Sequence, residues 1–167
     1  VEHVRAESMA GRARTSLGLD VRAAKDLREA LRGSDVCVTC TPARRAFLPA
    51  SDVAPGTFIA AVGAGAHGKQ ELVPPLVAGA PLVVGVLAQC AETGELQHVL
   101  AAGLMTREQV HAELGDVVSG RRPGRTRPDE ITIFDSSGTA LQDVAAAAAV
   151  YEKARASRRG AEVSLDG

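Results

Sequence analysis

Aromatic residues are almost missing from this 167-residue chain: Phe47, Phe58, Phe134 and Tyr151 make up 2% of it, and there is no Trp. A core built from this sequence has to be aliphatic. A base-stacking platform for single-stranded nucleic acid, which needs exposed aromatic rings, is excluded. An excess of either charge is also missing. Lys and Arg number 19 against 20 Asp and Glu, a formal net charge of −1, so the basic surplus of a nucleic-acid binder is absent. No apolar run reaches the roughly 18 residues that a membrane-spanning helix requires. Cysteine is scarce and odd in number. Cys37 and Cys40 lie within one apolar run and Cys90 stands apart, which is not a disulfide framework. No secretory signal is visible, and a reduced, cytoplasmic setting is expected. The four histidines, His3, His67, His98 and His111, lack metal-ligand spacing, and no metal is expected.

What is present is enough apolar material for one core: 46% of residues are hydrophobic, at a length of about one domain. Arg5–Leu17 reads as an Ala/Arg helix closed by Gly18, and Lys25–Leu31 as a short one closed by Gly33. Asp35–Thr41, Thr57–Gly63 and Leu82–Gly85 are near-continuous apolar runs and read as buried strands. Short helices are expected over Leu72–Ala78, Ala88–Ala91 and Gln97–Ala101. A longer helix is expected over Thr106–Val118, capped by its threonine. Glu130–Phe134 alternates like a strand. Thr139–Arg158 is an Ala-rich helix with Leu141, Val144, Ala148 and Tyr151 on one face. Apolar strands alternating with helices point to an α/β fold with a parallel sheet covered on both faces.

In such a sheet, ligands bind beyond the carboxyl ends of the strands. Three loops leave such ends: Thr39–Pro42, Gly63–Lys69 and Gly85–Gln89. Small residues in them admit a ligand close to the backbone. The run Gly63-Ala64-Gly65-Ala66-His67-Gly68 contains the letters of G-x-G-x-x-G but is followed by Pro74-Pro75 rather than a long helix. No acidic residue ends a strand about 20 residues later, so the run is not a dinucleotide fingerprint. Cys37 and Cys40 have C-x-x-C spacing, but residues three apart on a strand face opposite ways. They read as small buried hydrophobes. Ser136-Ser137-Gly138 before the last helix suits a cap and also a polar ligand.

Four stretches together resemble the ornithine cyclodeaminase/mu-crystallin family: SDVCVTCTPARRAFL (34–48), PGTFIAAVGAGAHGKQEL (55–72), LAQCAETGEL (87–96) and AELGDVVSGRRPGRTRPDEITIFDSSGTALQDVAAAAAVYEKA (112–154). The last is the most specific. The resemblance implies a Rossmann-like, doubly wound parallel sheet that binds NAD or NADP. It also implies a second domain that binds substrate and forms a homodimer. Under it, residues 1–138 are the C-terminal part of the dinucleotide-binding domain, without the glycine fingerprint. Residues 139–158 are a helix returning to the substrate domain, and 159–167 are a tail. The chain starts at Val1 without Met, as the latter half of a longer protein would.

The implied activity is hydride transfer between NAD(P) and an amino acid or cyclic imine, by a cyclodeaminase, alanine dehydrogenase or pyrroline-2-carboxylate reductase type of protein. This part alone is expected to be inactive. A non-catalytic, mu-crystallin-like NAD(P)-binding protein and a truncated inactive remnant are the alternatives. The resemblance places Thr39, Cys40, Thr41, Phe58, Ile59, Ala60, Ala61, Val62, Gly63, Lys69 and Ser136 at the cofactor, and Ser137 and Gly138 on the substrate side. Many family members carry an aspartate at the position of Gly65, where a carboxylate can act as acid or base. Glycine cannot do so. His67 is the candidate substitute.

Overall fold

Five parallel strands form a single sheet in the spatial order β1-β2-β5-β3-β4. They span Val36–Thr39 (β1), Phe58–Ala61 (β2), Leu82–Val84 (β3), Ala112–Glu113 (β4) and Thr132–Asp135 (β5). The computed structural model describes residues 3–161 and 163. The helices are His3–Leu17 (α1), Leu27–Arg32 (α2), Pro74–Ala78 (α3), Leu87–Thr93 (α4), Leu96–Ala101 (α5), Leu114–Val118 (α6) and Ala140–Ala156 (α7). Local chemistry sets several ends. Asp26 accepts the Glu29 amide at 3.1 Å and starts α2, which satisfies one of the helix's orphan donors. Pro74 and Pro75 open α3, the one part of a helix where a missing N–H costs nothing.

Register aligns the strands in rows. Cys37, Ile59, Ile133 and Leu82 are neighbours across the sheet, and so are Thr39, Ala61, Asp135 and Val84. Because side chains alternate, these rows share one face. Ile59, Ile133, Leu82 and Val84 are fully buried there with Leu48, Leu72, Val77, Cys90, Leu96 and Val99. The last five come from the 72–77 segment, α4 and α5, so those elements roof the face. Truncating one such side chain, as in Ile59→Ala, costs about 2–5 kcal/mol.

Three expectations need correction. Thr106–Val118 is not one helix. A 3-10 turn over Arg107–Gln109 gives way to β4 and then to the short α6. The cause is tertiary: the His111 amide bonds Leu82 O at 3.0 Å, docking this backbone beside β3, and pairing overrides helix propensity. The second face of the sheet is covered in part: Val83 and Thr132 are buried beneath the α6 segment, whereas Val36 and Val38 on the edge strand β1 are 59% and 63% exposed. Cys37 is half-buried and Cys40 is exposed, so of the three thiols only Cys90 is a buried hydrophobe. The face of α7 that carries Leu141, Val144 and Tyr151 is likewise exposed.

Candidate functional site

The parallel ladder continues past the strands. The Val62 amide bonds Thr39 O at 2.9 Å, Ser136 bonds Ala61 O at 2.9 Å, and Gly85 bonds Asp135 O at 3.0 Å. The loops after β1, β2, β5 and β3 therefore leave the sheet side by side at its carboxyl edge. That is where an open α/β sheet binds ligands.

Three buried acids, Glu71, Glu95 and Asp135, stand behind this edge. Glu71 is fully buried. One of its oxygens accepts the Thr41 amide at 2.6 Å, and the other accepts the Gly63 amide at 2.9 Å. Its own amide bonds Glu95 Oε1 at 2.7 Å. Asp135, also fully buried, accepts the Leu96 amide at 3.0 Å. Glu95 Oε2 and Asp135 Oδ1 have no protein partner. Burial raises the Glu95 carboxyl to about 7, with Asp135 and Glu71 adding repulsion against the backbone bonds that lower it. Burial likewise raises Asp135 to about 6. Desolvation penalises the charged form of each.

Gly63 matters here for space rather than for backbone angle: a Cβ on it would overlap the Glu71 carboxylate. On the other side of the edge, Gln89 of α4 donates to Gly138 O at 2.7 Å and Ser137 O at 3.4 Å. Cys90 Sγ lies 3.4 Å from Ser137 Oγ. A Cβ on Gly65 would meet only Ser137 O, at 3.6 Å. Residue 65 and the 136–138 turn thus face each other across the edge.

The structure brings together most of the residues singled out from sequence. Thr39, Cys40, Thr41, Val62, Gly63, Ser136, Ser137 and Gly138 gather at the carboxyl edge. Cys40, Val62 and Gly138 are exposed, and Thr41, Ser136 and Ser137 are half-buried. Ile59 and Ala61 are fully buried in the core. Phe58 lies at the amino end of β2, beside Thr132, Gly124 and Arg125, away from the candidates at the carboxyl edge. Lys69 sits in the glycine-rich loop, its carbonyl 2.7 Å from His98 Nε2. His67 is exposed, with Nδ1 3.5 Å from Glu92 O in a shallow depression shared with Gln97 and His98. Among the described residues no cluster of His, Cys, Asp and Glu could hold a metal ion, and no helix is long and apolar enough to cross a membrane.

Sequence reading missed Glu71, Glu95, Asp135 and Gln89. A signal was available for three of them: each carboxylate stands where an apolar stretch meets a glycine-bearing turn, an odd place for a solvated charge.

The Ornithine cyclodeaminase/mu-crystallin family model matches residues 1–158. The chain belongs to this family. An alanine dehydrogenase of Archaeoglobus fulgidus is 43% identical over 131 residues, covering 78% of this chain and 41% of that relative. The solved iminosuccinate reductase of Paracoccus denitrificans, in complex with NAD+, is similar at 41% identity with a TM-score of 0.85. It covers 95% of this chain, which covers 48% of it. The Δ1-pyrroline-2-carboxylate reductase of Thermococcus litoralis, in complex with NADH and L-proline, is 30% identical with a TM-score of 0.90. That match covers 96% of this chain and 50% of the other. The chain spans about half the length of the family members it matches.

Proposed function

We propose that this family member contributes the nicotinamide-side wall of an NAD(P) site, in a protein that moves hydride between NAD(P) and an amino acid or cyclic imine. One observation carries the reading. Four strand-end loops lie side by side at the carboxyl edge, with exposed small residues in front and the buried Glu71 carboxylate holding the Thr41 and Gly63 amides behind. Solved relatives of this fold hold NAD+ or NADH. When bound, the dinucleotide supplies the hydride donor or acceptor.

The chain's own residues fit such a group. Cys40, Thr41 and Val62 offer small or apolar contact with little intruding side chain, and Thr39 Oγ1 is buried without a partner. Ser136 stands half-buried between the β2 and β3 loops, where its hydroxyl can bond a polar edge of the cofactor. Ser137 and Gly138, held by Gln89, form the substrate-side turn. The surrounding apolar rows exclude water from the floor of the site, which strengthens each polar contact there.

Residues 1–138 are read as part of the dinucleotide-binding domain, and 139–158 as a helix joining the substrate domain of a homodimer in the cytoplasm. The exposed apolar face of α7 and the open sheet face around Val36 and Val38 support that division.

Gly65 favours a second reading, a protein that binds NAD(P) without catalysis. No side chain at that position can exchange a proton with substrate. The test uses the protein expressed from its complete reading frame. NADH fluorescence titration measures binding, and absorbance of the reduced cofactor follows turnover with alanine, proline, ornithine and cyclic imines. Binding with turnover supports the enzyme. Binding without any cofactor oxidation or reduction supports the second reading, and no binding refutes both.

A further inference from the structure

Glu71 is not at the surface of the site, yet it bonds both loops that form the site's floor. It sits at the end of the glycine-rich loop, eight residues after Gly63 and thirty after Thr41 in the chain. Its two oxygens each take one amide, one from the loop after β1 and one from the loop after β2. Its backbone is fixed on three sides. The Glu71 carbonyl accepts the Phe47 and Leu48 amides at 2.9 and 3.1 Å. Its amide goes to Glu95, and Leu72 bridges Leu48. The carboxylate therefore cannot swing away without breaking the packing around it. Gly63 completes the device, because any larger residue there would occupy the place of the carboxylate.

The two amides that Glu71 holds have no strand partner. Beyond Thr39 and Val62, whose amide makes the last ladder bond to Thr39 O, the backbone has left the sheet's regular pairing, and a buried amide without an acceptor costs about 1–3 kcal/mol. One side chain answers both needs and sets the distance between the two loops.

We propose that Glu71 is a positioning residue for the dinucleotide: it clamps the Thr41 and Gly63 amides so that the loops after β1 and β2 keep the spacing the cofactor requires. The inference rests on the cofactor reading above. Glu71 touches neither cofactor nor substrate and acts through those two loops.

The decisive variant is Glu71→Gln in the protein from its complete reading frame. Glutamine has the same shape but only one acceptor oxygen. Its NH2 group faces an amide N–H, so one loop is released while the other stays held. The expected result is a KM for NADH raised about tenfold or more, equivalent to the loss of one charge-assisted hydrogen bond of about 1.5–3 kcal/mol. The kcat at saturating NADH changes less than threefold. A role in stability alone would lower the melting temperature and the amount of active protein and leave KM for NADH at its wild-type value. That outcome, in a folded variant, overturns the proposal.

If Glu71→Gln does not fold, amide hydrogen exchange of the wild-type protein decides. NADH is expected to slow exchange at Thr41 and Gly63 together. Unchanged exchange at both, under conditions where NADH binding is measured, overturns the proposal. A wild-type protein that binds no NADH fails at the earlier step and refutes the cofactor reading itself.

Discussion

The Asp135 carboxylate fills the space that a side chain at Gly94 would need: a Cβ there would lie 2.7 Å from Oδ1 and 2.8 Å from Cγ. The β5 strand end and the α4–α5 corner are thereby fitted to each other at a buried charge. Gly94 needs no unusual backbone angle, so its small size is the requirement. Gly94→Ala is expected to push the carboxylate off the Leu96 amide and destabilise the fold by about 1–3 kcal/mol, the usual cost of overpacking. A thermal melt checks this. A melting temperature equal to wild type would show that the corner has room to relax.

Stability should fall as pH rises from about 4 to about 7. Glu95 and Asp135 are raised to about 7 and about 6 in the fold, above their ordinary values of 4.5 and 3.8. The folded chain therefore holds protons that the unfolded chain has released. The contribution is fully present below about pH 4 and is lost progressively up to about pH 7. Glu95→Gln keeps the acceptor oxygen for the Glu71 amide and removes the titration. Urea melts of both proteins at pH 5 and pH 8 should show a smaller loss of stability in the variant. Equal pH slopes would mean that Glu95 is not the titrating group.

Cys40, Cys37 and Cys90 should label in that order. Cys40 is exposed, Cys37 is half-buried and Cys90 is fully buried. Burial pushes the thiols of Cys37 and Cys90 up, with Glu71 and Asp135 respectively adding repulsion, and the thiolate is the reactive form. A disulfide reagent such as DTNB is expected to modify one thiol quickly, a second slowly and the third only on unfolding. Since Cys40 stands at the proposed cofactor wall, saturating NADH should slow its labelling several-fold. Unprotected Cys40 in the presence of bound NADH would move the cofactor elsewhere.

Gln89→Ala is expected to loosen the 136–138 turn. The variant removes the donor to Gly138 O and Ser137 O while leaving Glu71 and its loops untouched. The KM for the amino acid or imine should rise about tenfold, in line with one lost hydrogen bond of about 1.5 kcal/mol. The KM for NADH should stay within twofold. Steady-state kinetics varying each substrate in turn separates the two. Equal effects on both would show that the turn serves the cofactor instead.

Gly65→Asp should be tolerated, because a Cβ there meets only Ser137 O at an ordinary contact distance and the backbone is not left-handed. The melting temperature is expected to stay within a few degrees of wild type. The new carboxylate would stand beside the substrate-side turn, and a turnover that gains a new acidic limb in its pH profile would mark it as a working proton carrier. An unchanged profile would show that this position does not limit the reaction.

Much of the fold was legible from sequence for a simple reason. Strands β1, β2 and β3 are runs of β-branched and small apolar residues bounded by Pro and Gly, a local signal that survives without tertiary context. The family was legible in ordered motifs, above all the stretch from Ala112 to Ala154. The 106–118 segment was not, because its conformation is decided by pairing with β3, which no local pattern encodes. Nor were the buried acids. Glu71, Glu95 and Asp135 look like ordinary solvated charges until the fold places amides of residues 41, 63, 71 and 96 in front of them. The sequence by itself determined where apolar strands run, which residues are small enough to admit a ligand, and that position 65 has no carboxylate. The tertiary structure alone decided that these strands end on one edge, that Glu71 ties two of their loops, and that Cys40 faces outward while Cys90 is sealed in. Strand-forming tendency is a property of neighbours in the chain, whereas desolvation and hydrogen-bond closure depend on which distant residues meet.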